Sequence, residues 1–419
     1  MEDSIYRLRL RDILTLCVLS LLLLGVLMVQ SASMHVSGDV GWRWTERGTR
    51  HALFALVSLV TFFIVGNIDY RKLLHASPDP MRNGILWMLA IAGITSVLVL
   101  VPHIGLEVNG ARRWLPLGIT QVQPSELAKW AVVLFLAWWL TARPVDLNRF
   151  PMFLLTLVPV GALCLLTVIQ DFGTAALIAV CAMTMLVVGR MKWWHLLVII
   201  PPALCAGAWF VMHKEYRWRR MIAFVDPYSA PQKEGYHMIQ SLLSFATGGV
   251  TGKGLGNGIQ KLGYLPEDTT DFIFAVVCEE LGLFGALLTV ALYLGIMYVA
   301  WQALKQKRDS LGRMLAFGVG SMVSLQALIN IAVATVSVPT KGLSLPLVSA
   351  GGSGLIITCA ALGLLYSVTR FNHPEEEQLP APPEPEPKRK TKPEKPIGNL
   401  PLRPNLVSDA VWKQWTVGS

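Results

Sequence analysis

The feature that most constrains this chain is a series of apolar runs near the twenty-residue length that a helix needs to cross a hydrocarbon core of about 30 Å. Ten such runs lie at residues 13–32, 52–68, 84–102, 126–141, 151–169, 173–189, 194–212, 272–302, 314–338 and 347–369. Of the 419 residues, 53% are hydrophobic and only 15% are charged. Soluble packing cannot hide that much apolar surface, so the principal solvent is lipid. The sequence predicts an all-α polytopic membrane protein of about ten transmembrane helices, one per run. The first run follows Arg7, Arg9 and Arg11 and is too long for the apolar core of a cleaved signal, so it is expected to remain as an anchor.

Cationic loops stay on the cytoplasmic side. With the N-terminus inside, that side receives Arg71, Lys72, Arg82, Arg143, Arg149, Arg190, Lys192, Lys305, Lys307, Arg308 and Arg313. The outer loops hold Arg43, Arg47, Arg50, Arg112, Arg113 and Lys341. Both termini are therefore expected in the cytoplasm. Residues 1–12 form the cytoplasmic N-terminus and 13–371 the transmembrane domain. Within it, 213–271 make a large extracytoplasmic loop between the seventh and eighth helices, expected to carry short interfacial helices and a flexible glycine-rich turn at Gly252 to Gly258. After residue 372, Glu375 to Glu377, a proline-rich stretch and Lys388-Arg389-Lys390 cannot bury a core, so 372–419 are expected to be a disordered cytoplasmic tail.

Several functions are disfavoured. The net charge of +9 is spread among loops, with no basic stripe and interleaved aromatics of the kind that grips nucleic acid. The six cysteines sit in apolar runs without paired spacing and read as small core residues. The glycine run lacks the Gly-Lys-Ser/Thr ending of a nucleotide-binding loop.

Three segments place polar groups where lipid would penalise them, so each needs a protein-lined cavity or a partner. The first joins Val108 to Trp114, containing Arg113, with Gln123 to Lys129. Glu126 and Lys129 are three apart and can pair on one helix face; an acid in the first turn also fits simple helix initiation. The second runs from Tyr264 through Asp271 to Glu279, Glu280 and Gly282. Asp271 can be read alone as a helix cap, while Glu279 and Glu280, about 12 Å deeper on a regular helix, imply a cavity below it. The third runs from Asn330 through Lys341 to Ser349, Gly351 and Gly352. Its prolines and glycines forbid a continuous helix and expose backbone polar groups at membrane depth.

At these segments the sequence resembles the SEDS family (shape, elongation, division and sporulation), over residues 10 to 371. Pro339-Thr340-Lys341-Gly342-Leu343-Ser344-Leu345-Pro346 is closer to its division branch than to its elongation branch, which usually lacks that Thr-Lys-Gly. The match departs at Gln170-Asp171, which lacks the usual proline, and at Asp268-Thr269, Ala350 and Gly354. The resemblance implies a peptidoglycan glycosyltransferase of the cytoplasmic (inner) membrane that polymerises lipid II at the outer face, in septal wall synthesis. It also implies Asp271 as catalytic base. Substrate-binding or site-organising roles then fall to Arg113, Trp114, Glu126, Lys129, Arg217, Arg220, Lys253, Glu279, Glu280, Asn330, Lys341, Ser349, Gly351 and Gly352. The implied partners are a class B penicillin-binding transpeptidase and other divisome proteins, and a divalent cation (Mg2+ or Mn2+) is a candidate cofactor. Transport, as a lipid II flippase, is the rival reading of intramembrane Lys129, Glu279 and Glu280. An elongation-type polymerase and a scaffold are further alternatives.

Overall fold

The computed structural model describes residues 9–34, 44–77, 79–108, 111–117, 120–142, 146–213, 215–306 and 309–371. The expected tail, the Asn109-Gly110 pair and the loop cations Arg43, Arg143, Lys307 and Arg308 lie outside that set. Every apolar run contains a helix. In chain order these are α1 (Leu10–Ala32), α2 (Glu46–Asn67), the short α3 (Tyr70–Leu74) and α4 (Gly84–Leu98). Next come α5 (Pro124–Ala142), α6 (Phe150–Gln170), α7 (Phe172–Val188) and α8 (Trp193–Met212). After α9 (Glu215–Val225) and α10 (Tyr236–Gly248), the chain continues through α11 (Ile273–Lys305), α12 (Ser310–Ala334) and α13 (Ser353–Arg370). Eight of these helices are long and apolar enough to span a membrane, while α4 and α7 are apolar but shorter.

Local chemistry sets many of the helix starts. Asn83 accepts hydrogen bonds from the amides of Ile85 and Leu86, and Asp171 from those of Gly173 and Thr174. Each cap satisfies amides that have no partner within the helix. In the bundle, α2 lies along α13, α1 packs on α11, and α5, α7 and α12 touch one another. By contrast, α8 is almost bare, with Leu197, Leu204 and Trp209 exposed, and touches mainly α9. A helix apolar on every face can be solvated by lipid instead of protein.

Three features differ from the sequence reading. An antiparallel sheet of β1 (Leu106–Val108), β2 (Ala111–Leu117) and β3 (Thr120–Val122) occupies a connection in which no strand was expected. Two of its strands have three residues, and in seven-residue β2 the adjacent Arg112 and Arg113 and then Trp114-Leu115 break any alternation of apolar and polar side chains. The last helix begins at Ser353, not 347, because Gly351 and Gly352 precede it in irregular backbone. The glycine-rich turn is no loose loop either: it packs back onto the first half of α11, where Gly282 (φ 64°, ψ −156°) breaks the helix. Backbone approach there is close enough that a Cβ at Gly282 would stand 2.4 Å from the Gly252 nitrogen. Glycine at 282 meets both the positive φ and the contact.

Candidate active site

The N-terminal ends of α5, α7, α11 and α13, with β2 and the segment 342–352, surround a polar cavity of about 310 Å³. Arg113, Trp114, Glu126, Asp171, Asp271 and Ser349 line it, together with the backbone of Gly351 and Gly352. Each helix N-terminus carries partial positive charge, and carboxylates of the chain already sit at three of them: Glu126 in the first turn of α5, Asp171 as the cap of α7 and Asp271 before α11. Arg113 is the cation in the lining, and its Nε is buried without a hydrogen-bond partner.

The segment after α12 is held to the approach of α11 by a set of polar contacts. Asn330 Nδ2 donates to the Asp271 carbonyl at 2.8 Å and to that of Leu343 at 2.6 Å. Ser349 Oγ donates to the Thr270 carbonyl at 2.5 Å and accepts from the Leu345 amide at 2.7 Å. The Ala350 amide donates to the Thr269 carbonyl at 2.8 Å. Irregular backbone at membrane depth is thus satisfied from within the protein. These bonds place Gly342 against Asp271, where a Cβ would stand 3.0 Å from Oδ2.

Lys129 lies behind the cavity wall and is fully buried, its Nζ 2.8 Å from Glu126 Oε1 and 2.7 Å from Gln326 Oε1. Gln326 in turn donates to the Ser344 carbonyl at 2.8 Å. One chain of polar contacts therefore runs from the first turn of α5 through α12 to the segment beside Asp271. A buried cation is tolerated only when its charge and donors are met in this way.

Electrostatics single out Asp271. Burial pushes its carboxyl up to about 7, with the negative charges of Glu267 and Asp171 adding to the rise and Arg113 and Arg220 opposing it. Burial also lowers Lys341, against a raising influence of Asp171, and its ammonium sits 4.3 Å above the Phe172 ring. Arg217 stacks 3.7 Å from the centre of the Phe210 ring and donates to the Phe210 carbonyl at 3.2 Å. Arg220 reaches the Thr340 carbonyl at 3.5 Å. The last three cations border the cavity instead of lining it.

Lys253, Glu279 and Glu280 stand apart from this site. Glu279 pairs with Lys253 at 3.0 Å and accepts from the amides of Ile259 and Gln260. Glu280 accepts from the Gly256 amide, Lys261 and Ser31. The glycine turn is therefore filled by the protein's own carboxylates, and the cavity below Asp271 is shaped by α5, α7 and α13. Residues beyond the sequence reading also line the site, among them Gln123, Asp171, Thr174, Glu267 and Gln326. Gln326 carried a usable signal: like Asn330, it is a polar side chain inside an apolar run. Asp171 was visible only as a point where the family pattern is altered, and by itself an acid before a helix reads as a cap.

Fold and site define an all-α, multi-pass membrane protein with a carboxylate-lined cavity, bordered by cations, at one end of its bundle. The chain matches the FtsW/RodA/SpoVE profile, described as cell cycle protein, over residues 11–374 and belongs to that family. It is 39% identical over 361 residues to the "Probable peptidoglycan glycosyltransferase FtsW" of Nitrosococcus halophilus, an alignment covering 83% of this chain and 90% of the relative. The protein of that name from Coxiella burnetii is 34% identical over 362 residues, covering 85% and 95%. Among solved structures, a chain of a peptidoglycan synthase complex that coordinates polymerization and crosslinking superposes with a TM-score of 0.69 at 28% identity, covering 85% of this chain and 96% of that one. The rod shape determining protein RodA of Thermus thermophilus gives 0.59 at 28% identity, covering 85% and 95%.

Proposed function

We propose that this protein is a peptidoglycan glycosyltransferase of the division type that polymerises lipid II. The observation that carries the reading is Asp271, a carboxylate raised to about 7 in a cavity that also holds the buried, unpartnered Nε of Arg113. Asp271 takes the proton of the acceptor sugar hydroxyl as its oxygen bonds to the donor anomeric carbon. The bond from that carbon to the lipid pyrophosphate breaks, and the departing charge is met by Arg113. A pyrophosphate leaving group removes the need for a strong acid. A flippase would need access to both membrane faces, whereas this cavity lies at one end of the bundle.

A general base works ionised. Polymerisation should therefore rise about tenfold per pH unit below about pH 7 and level off above it. The measurement is the initial rate of glycan formation by purified protein at saturating lipid II across about pH 5.5 to 8.5, roughly one and a half units either side of the inflection. A flat profile would remove Asp271 as the base.

The loop cations support both termini in the cytoplasm and the cavity at the outer leaflet, and the names of the division-type relatives support septal placement. A cysteine at exposed position 233, between α9 and α10, should react with an impermeant maleimide added outside intact cells. Reaction only after permeabilisation would reverse the orientation. The neighbour's complex supports a transpeptidase of the class B penicillin-binding type as partner, within the divisome. Among the described residues no group of three or more His, Cys, Asp or Glu side chains is arranged to hold a metal, so a Mg2+ or Mn2+ ion would need one or two carboxylates of the cavity together with substrate phosphates, and no step is routed through it.

A further inference from the structure

The mechanism leaves one buried charged cluster unused. Lys261 Nζ lies 2.7 Å from Glu280 Oε1 and 2.8 Å from Ser31 Oγ, and Ser31 itself donates to both oxygens of Glu280. All three side chains are buried, with Lys261 at 3% exposure and the others at 0%. They come from three places: α1, the glycine-rich segment and the upper half of α11. Backbone bonds complete the junction, since the Lys253 and Gly254 amides donate to the carbonyls of Glu279 and Glu280 that the break at Gly282 leaves free. The segment 249–261 thus replaces the missing turn of α11.

We infer that Lys261, Ser31 and Glu280 form a clamp that positions Asp271, so that the half-helix beginning at Ile273 is held at its lower end by α1. This rests on the reading of Asp271 as the base. Asp271 sits two residues before a half-helix that ends at the break, and it lies only ten positions after Lys261. Fixing Lys261 and Glu280 therefore fixes the chain on both sides of the carboxylate. These are positioning residues, because none of them lines the cavity.

The test uses full-length protein in detergent and the double variant Lys261→Met/Glu280→Gln, which removes both charges and so avoids leaving one buried and unpaired. Hydrogen exchange across 249–272 should quicken by about tenfold or more, while the thermal midpoint stays near that of the parent. With lipid II, kcat should fall by about tenfold or more with KM within about twofold, and the pH midpoint should move as the surroundings of Asp271 change. Parent-like exchange would overturn the clamp. Faster exchange with parent kcat and pH profile would overturn its positioning role. Should the double variant fail to fold, Ser31→Ala, which deletes one hydroxyl, is expected to lower kcat by about threefold at unchanged KM, and a parent-like kcat there would overturn the proposal. If Asp271→Asn keeps the parent rate, the catalytic reading fails while the exchange result still reports on the clamp.

Discussion

Asp271→Asn should polymerise lipid II at least about 10² more slowly than the parent protein while remaining folded. The substitution keeps the shape of the side chain, and the backbone carbonyl that receives Asn330 Nδ2 is untouched. What disappears is the carboxylate pressed against Gly342, the group whose ionisation burial has moved to about 7. Asp268→Asn, three residues earlier and away from the cavity lining, should keep most of the activity. Glycan length and rate from purified protein bound to its transpeptidase partner, at matched thermal stability, make the comparison. Near-parental synthesis by Asp271→Asn would show that the carboxylate serves only the local fold.

Lys129→Met should cost both stability and activity. Its ammonium is fully buried between Glu126 and Gln326, and removing it strands a carboxylate whose side chain is only 14% exposed. Breaking a buried pair from one side costs about 3–5 kcal/mol, and the residual access of Glu126 to the cavity puts the expected loss near the lower figure. Because Gln326 links Lys129 to the Ser344 carbonyl, the segment beside Asp271 should loosen, and polymerisation should fall by about tenfold or more. Lys192→Met, exposed at the start of α8, is the control and should leave both unchanged. Thermal unfolding and lipid II turnover measured on the two variants decide the matter. Equal behaviour would mean that Lys129 has no part in organising the site.

The charge on Asp271 ties these expectations together. Any change that opens the cavity to water relieves the burial that raises its carboxyl, so a loosened site should also show a lower pH midpoint of activity.

The sequence by itself determined the membrane class and the order of the helices, because apolar length is a local property that lipid reads directly. It also exposed Lys129 and Asn330, since a polar group inside an apolar run is costly wherever the chain goes. The pairing of Glu126 with Lys129 followed from their spacing on one helix, whereas which polar groups meet across elements was decided only by the tertiary structure. Glu279 and Glu280 follow Asp271 by eight and nine residues, yet they turn toward Ser31, Lys253 and Lys261, because the break at Gly282 opens a gap in α11 that the glycine-rich segment fills. Asp171, a hundred residues from Asp271 in the chain, shares its cavity because α7 and α11 begin at the same end of the bundle. Spacing along the chain carries no information about such meetings. They depend on how helices from distant parts of the sequence pack and where one of them breaks.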